Sequence, residues 1–263
     1  MASVIAAIDL GPSSRRVLLH AAGLSRLLDA RLRVLHVDSD TSTSAHDRIR
    51  DYFTQNGPYE IDPGELDIAL RSGHVSEAIY REAKHEDAAL IVMGSRGRTS
   101  LTSLILGSTT AAVLQNAPAP VLVVPPVDLD IVSIADKPVL ACGPVLVPID
   151  LADACDHQLR FASDMAAIAR QPLLLMTVAP RGVDDHDAGV MLRERAHNSP
   201  RKPRATIVRR GSAIAEEISS CARAEGAGLV VMGLRPKGRG QPGAIASAVL
   251  ASRRAFVLAV PSC

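Results

Sequence analysis

The chain repeats itself. Residues 4–37, VIAAIDLGPSSRRVLLHAAGLSRLLDARLRVLHV, align without a gap on residues 145–178, VLVPIDLADACDHQLRFASDMAAIARQPLLLMTV, pairing Asp9 with Asp150 and Val37 with Val178. Further on, ALIVMG at 89–94 matches GLVVMG at 228–233, and GSTTAAVLQNAPAPVLVVP at 107–125 matches GAIASAVLASRRAFVLAVP at 243–261. Two copies of one domain therefore make up the chain, which its 263 residues accommodate. The expected division is a first domain at 1–126, a linker at 127–143 and a second domain at 144–263.

Each copy reads strand, helix, strand, a variable stretch, strand, helix, strand, glycine loop, helix, strand. VIAAID is a short apolar run. Val17, Leu18, Ala21, Leu24, Leu27 and Leu28 then recur close to the 3.6-residue period of a helix. RLRVLHV, ELDIALR, ALIVMG and VLVVP supply four more strands; helices are expected at 76–86 and 107–116, with a short one at 45–55. Strands alternating with helices predict parallel pairing and right-handed crossovers. The expected fold is thus α/β, two tandem doubly wound five-stranded parallel sheets of Rossmann-like type. Such sheets bind ligands at the carboxyl ends of their strands, where the strand order reverses. That gathers Asp9, Val37 and the loop after Met93 around one crevice.

Composition narrows the ligand class. Aromatics are 2% with no Trp, so the core is aliphatic, as parallel strands covered on both faces require, and no stacking platform for single-stranded nucleic acid exists. Lys and Arg number 29 against 28 Asp and Glu, a net charge of +1 that offers polyanions no global field. The basic run Arg201, Lys202, Arg204, Arg209 and Arg210 has no interleaved aromatics and reads as a solvated face. No nucleic-acid partner is expected, and no apolar run approaches the roughly 18 to 20 residues of a membrane helix. The four cysteines lack CxxC spacing, and the first residues run straight into a strand, so a reduced, cytoplasmic setting is expected.

The chemistry sits after the fourth strand. Met93, Gly94, Ser95, Arg96 and Gly97 are followed by nine residues and then Gly107, Ser108, Thr109 and Thr110. Glycines let backbone N–H groups approach a phosphate chain without an intervening Cβ. Gly107 opens a helix whose first amides and dipole favour an anion, Ser108 and Thr110 add hydroxyl donors, and Arg96 and Arg98 neutralise charge. The bland alternative is that the glycines only make turns and Ser108 only caps a helix. Asp9 likewise reads either as a ligand contact or as the cap of the next helix, and Val37 in a parallel strand is core unless its backbone meets a ligand.

The pattern G-x-x-G, nine residues, G-S, with an Asp closing strand one, resembles the universal stress protein family in its ATP-binding branch. The resemblance spans almost the whole chain as two tandem domains of the adenine nucleotide alpha hydrolase-like fold. It implies that Asp9 contacts the ribose or nucleotide, that the Val37 backbone meets adenine and that Met93 lines the base. It also implies that Gly94, Gly97, Gly107, Ser108, Thr109 and Thr110 hold the phosphates of ATP, with Mg²⁺. Ala7 departs from the Pro that such relatives often carry. A homodimer, and pairing of the two fifth strands VLVVP and VLAVP within a chain, are further implications.

The second copy departs from the pattern. Its loop runs Gly233, Leu234, Arg235, Pro236, Lys237, Gly238, Arg239, Gly240, Gln241, Pro242, Gly243, Ala244, three residues shorter, with Pro236 for the second glycine and Ala244 for the serine. Triphosphate binding is not expected there. Gly238, Gly240 and Gly243 spell GxGxxG, but they follow a fourth strand and precede no acidic ribose partner, so no dinucleotide site is expected. No Walker A lysine, G-x-S-x-G elbow, HExxH helix or SGGxDS-like loop occurs. Asp184, Asp185, His186 and Asp187 read as a polar loop, not a metal site. Beyond Asp9 no general base is placed, so the expected function is ATP binding in stress response or signalling. Slow turnover or autophosphorylation is then the most the site would do. The competing expectation is a nucleotide-free adaptor that binds a partner protein. The second copy keeps the sheet pattern without the loop, which makes the loop dispensable for folding and its completeness at 93–110 a sign of a ligand.

Overall fold

The computed structural model describes residues 2–39, 41–58, 60–95, 106–126, 130–134, 138–234, 244–251 and 255–261. The chain divides into two compact units, Met1–Ala141 and Cys142–Cys263. In the first, β1 (Ser3–Ile8), α1 (Ser14–Leu27), β2 (Arg31–Val37), α2 (Thr43–Asn56), β3 (Ile68–Arg71), α3 (Val75–His85), β4 (Ala88–Gly94), α4 (Ser108–Asn116) and β5 (Val121–Val124) alternate along the chain. Their strands lie in the order β5-β4-β1-β2-β3 and every pairing is parallel. β1, β4 and β5 are buried along nearly their whole length instead of at alternate residues, as a sheet covered on both faces demands.

Val132–Ser133 (β6) and Val139–Leu140 (β7) form a small antiparallel pair. They lie within the stretch expected as a linker, 127–143. Ile131, Val132, Ile134 and Leu140 are buried, and residues up to Ala141 belong to the first unit. The reason lies in α1, which buries ten of its fourteen residues and so needs cover on more than its sheet-facing side. A Cβ on Gly23 would collide with Val132 and stand 2.7 Å from Ile134 Cγ2, so the segment presses directly on the helix backbone. Arg16 Nε meets Asp130 Oδ1 at 2.9 Å, and the wholly buried His20 donates from Nδ1 to the Arg16 carbonyl while Nε2 accepts from Ile131 N–H. The alternating apolar residues of DLDIVSIADKPVL were the missed sign.

The second unit contains β8 (Val145–Pro148), α5 (Asp156–Ile168), β9 (Leu173–Val178), α6 (Asp185–His197), β10 (Ala205–Arg209), α7 (Ile214–Ala224), β11 (Leu229–Leu234), α8 (Ala244–Ala251) and β12 (Phe256–Pro261). Its order, β10-β9-β8-β11-β12, again wholly parallel, is that of the first unit. The group Asp184 to Asp187, expected as a loop, instead starts α6. Asp184 is the N-cap and its side chain accepts from Asp187 N–H at 2.8 Å, while Asp185 and Asp187 complement the positive end of the helix.

Candidate functional site

The strand order of the first unit reverses between β1 and β4, so its switch point lies where those two strands end. Ala7 and Met93 are register partners, and two residues beyond each stand Asp9 and Ser95. Asp9 Oδ1 accepts from Gly11 N–H at 2.9 Å and from Ser14 Oγ at 3.0 Å. Its Oδ2 is buried with no hydrogen-bond partner. Ser95 is 6% exposed; its N–H donates to the Val124 carbonyl and its carbonyl accepts from Gly107 N–H at 2.9 Å, yet Oγ has no partner. Among the described residues these two atoms are the only buried side-chain oxygens or nitrogens left unsatisfied. Each costs about 1–3 kcal/mol in that state.

The two ends of the glycine loop are clasped together. Besides the Gly107 to Ser95 bond, Thr110 Oγ1 donates to the Gly94 carbonyl at 2.9 Å, which fixes the start of α4 against the end of β4. Thr110 is buried and spends its hydroxyl hydrogen there. Ser108 is exposed and Thr109 half-buried, at the first positions of a helix whose N-cap, Gly107, makes no side-chain cap bond. The amides of such a first turn have no partner within the helix and point outward. Met93 is buried within β4, and Val37, half-buried, closes β2 beside the end of β1. Arg96 and Gly97 lie outside the described residues. The structure thus clasps Gly94, Ser95, Gly107 and Thr110 together at the end of β4, with Asp9 just beyond the end of the neighbouring β1.

Three further residues shape this crevice. His36 Nδ1 donates to the Ile8 carbonyl at 3.0 Å, Ser14 braces Asp9, and Tyr52 Oη donates from α2 to the Gly11 carbonyl at 2.7 Å. In the second unit Thr177 replaces His36 and makes the equivalent bond to Ile149 at 2.9 Å, so that link belongs to the scaffold. The signal for Ser95 was available in the repeat, since its counterpart Leu234 is a buried apolar residue.

At the second unit's switch point the ladder between β8 and β11 joins only Val145 with Leu229 and Leu146 with Val230. Pro148 has no N–H to continue it. The Gln158 amide donates instead to the Pro148 carbonyl at 2.9 Å and the Val231 carbonyl at 3.0 Å, occupying the place of Val17 in the first unit. A Cβ on Gly233 would come within 3.0 Å of Gln158 Oε1, so this junction is filled by protein.

Other chemistry is sparse. Burial raises the thiols of Cys142, to about 11, and of Cys155 and Cys221, which leaves them poor nucleophiles at neutral pH. Among the described residues no group of three or more His, Cys, Asp or Glu is placed to hold a metal ion, and no helix is long and apolar enough to cross a membrane.

Residues 1–125 match the profile of the Universal stress protein family. The Universal stress protein Slr1230 of Synechocystis sp. is 32% identical over 119 residues, 45% of this chain and 41% of that relative, so the chain spans less than half of the relative's length. Among solved structures, a putative universal stress protein from Pseudomonas aeruginosa UCBPP-PA14 gives a TM-score of 0.71 at 19% identity, covering 99% of this chain and 93% of that one. A universal stress protein from Archaeoglobus fulgidus DSM 4304 gives 0.69 at 18% identity, covering 98% of each. At such identities the likeness establishes the fold.

Proposed function

We propose, from the match of residues 1–125 to the universal stress protein family, that the first unit binds ATP at the ends of β1 and β4 and acts in stress response or signalling. The observation that carries this reading is the pair of buried, unsatisfied oxygens, Asp9 Oδ2 and Ser95 Oγ, each on a residue two beyond the register partners Ala7 and Met93. One is a carboxylate that accepts from a ribose hydroxyl; the other is a hydroxyl that donates to a phosphate. The outward amides of Ser108 and Thr109 extend the phosphate cradle, with Gly94 and Gly107 leaving room for it, and Arg96 and Gly97 complete it. The Val37 backbone meets adenine and Met93 borders the base. Mg²⁺ arrives on the triphosphate and is held chiefly by phosphate and water oxygens, as Mg²⁺ in phosphate sites commonly is. The second unit supports the assembly, a cytoplasmic homodimer, and takes no triphosphate.

The motif supplies no general base beyond Asp9, so ATP is retained rather than rapidly cleaved. The test is calorimetric titration of ATP, ADP and AMP, with and without Mg²⁺, into the full chain and into Ser95→Ala. The expected result is saturable ATP binding that Ser95→Ala weakens several-fold. Absence of saturable binding of all three at millimolar concentration overturns the reading and leaves a nucleotide-free adaptor in its place.

A further inference from the structure

Among the described residues, four besides glycine have left-handed backbones: Leu10 (φ 58), Asp29 (φ 50), Asp87 (φ 47) and Arg170 (φ 52). Three of them follow from the repeat. Asp29 and Arg170 end α1 and α5 at matching positions, and Asp87 follows α3 as Gly226, at φ 65, follows α7. Such residues commonly close helices. Leu10 has no such excuse. Its counterpart Leu151 is the same amino acid at the same place after the first strand and is not left-handed. The fold therefore does not require the strain at Leu10, which disfavours that conformation by about tenfold or more in population.

The strained residue sits between Asp9, with its unsatisfied Oδ2, and Gly11. Three bonds hold the turn: Gly11 N–H and Ser14 Oγ donate to Asp9 Oδ1, and Tyr52 Oη donates to the Gly11 carbonyl at 2.7 Å from 41 residues away. The second unit keeps the first of these bonds, Ala152 N–H donating to Asp150 Oδ1 at 3.1 Å, but not the other two as they stand here. Cys155 stands in the place of Ser14, and the nearest analogue of the Tyr52 bond is Arg195 Nη2 to the Leu151 carbonyl at 3.5 Å, long for a hydrogen bond. Strain that persists only where surrounding structure imposes it, next to a candidate ligand group, marks preorganisation.

We infer that Tyr52 is a positioning residue for nucleotide binding, holding the 9–11 turn in the strained form that keeps Asp9 Oδ2 turned into the crevice for the ribose. The inference rests on the ATP reading above. Without the phenol hydroxyl the turn relaxes, Leu10 returns to negative φ and the carboxylate hydrates. The apparent affinity then falls by the fraction of molecules still competent.

The experiment titrates ATP into wild type, Tyr52→Phe and the double variant Leu10→Gly/Tyr52→Phe, with melting curves to confirm folding. Tyr52→Phe is expected to bind ATP about tenfold more weakly. The double variant is expected to recover most of that loss, because glycine takes positive φ without penalty and no longer needs the clamp. Leu10→Pro, whose ring forbids positive φ, is a second route should Tyr52→Phe melt early, and it is expected to lose ATP affinity while the sheet stays intact. Unchanged affinity in Tyr52→Phe or in a folded Leu10→Pro overturns the inference alone, as does a double variant as weak as the single. A wild type that takes up no adenine nucleotide overturns the ATP reading and the inference with it.

Discussion

Replacing Gly107 by Asp separates the ligand from the fold, because the two respond with opposite signs. Gly107 is the N-cap of α4 with φ −62 and ψ 145, an extended conformation open to every L-residue. The backbone therefore does not demand glycine. An Asp at an N-cap accepts from the amides of the first turn and is preferred over Gly by a few tenths of a kcal/mol. Its charge at the positive end of the helix adds about 0.3–1 kcal/mol. The ligand-free variant should therefore be more stable by roughly 0.5–1 kcal/mol. The same carboxylate occupies the amides proposed for the phosphates and repels them. ATP at about one hundred times its Kd stabilises the wild type by about 2.7 kcal/mol. For a unit of this size that raises Tm by roughly 5–10 °C. Scanning calorimetry with and without ATP, followed on the first unit's transition, is expected to show a ligand-free Tm about 1–3 °C higher and a nucleotide increment near zero. A variant that ATP still stabilises as much as the wild type refutes placement of the phosphates at α4, and a lower ligand-free Tm refutes the capping argument.

Three other outcomes follow from named contacts. Glu82, 2% exposed, accepts from Arg33 Nε at 2.6 Å and from Arg71 Nε and Nη2 at 2.8 and 3.0 Å. Because Arg33 keeps Asp67 at 2.7 Å and Arg71 is largely wet, Glu82→Gln should cost about 2 kcal/mol in urea denaturation, below the 3–5 of a sealed pair; a loss under about 0.5 kcal/mol would show the network to be ornamental. Burial, partly countered by the Arg16 carbonyl and Asp130, holds His20 below its ordinary 6.5. The unfolded chain then binds the proton first, so this contribution to stability is complete above pH 6.5 and is lost as pH falls below it. His20→Gln should flatten that acid slope below pH 6.5, and an unchanged slope assigns it elsewhere. ATP should saturate at one molecule per chain, since Gln158 and Leu234 fill the second switch point; a stoichiometry of two rules this out.

Much of the fold was legible because its signals are local. Apolar runs, the 3.6-residue period and the repeat locate every strand of the first sheet and four of the five in the second, all but β10, and α2 and α4 begin within two residues of expectation. What escaped depends on packing partners that sequence spacing does not reveal. Ile131, Val132 and Ile134 look like a connector until α1 is seen to need a second cover. Asp184 to Asp187 looks like a loop by composition, although an Asp followed by acidic residues is also how a helix begins. At the crevice, the motif names Asp9, Gly94 and Gly107. It does not say that Thr110 faces Gly94, that Ser95 lacks a partner, or that Tyr52 reaches Gly11 across 41 residues.

The repeat supplies the control that a single domain lacks. Where both units keep a feature despite different side chains, the scaffold requires it: His36 and Thr177 reach the same strand-end carbonyl, and Asp29 and Arg170 take the same left-handed turn. Where only the first unit carries a costly feature, the scaffold evidently folds without it. Leu10's backbone, the orphaned Asp9 Oδ2 and the orphaned Ser95 Oγ all fall in this second class, and all lie at the same strand ends. The second unit carries none of these costs at the matching positions, with an unstrained Leu151, a buried apolar Leu234 for Ser95 and an Asp150 that is exposed to water. Three such costs of about 1 kcal/mol or more each are what a ligand that supplies the missing partners would offset, which is the reading proposed for this site.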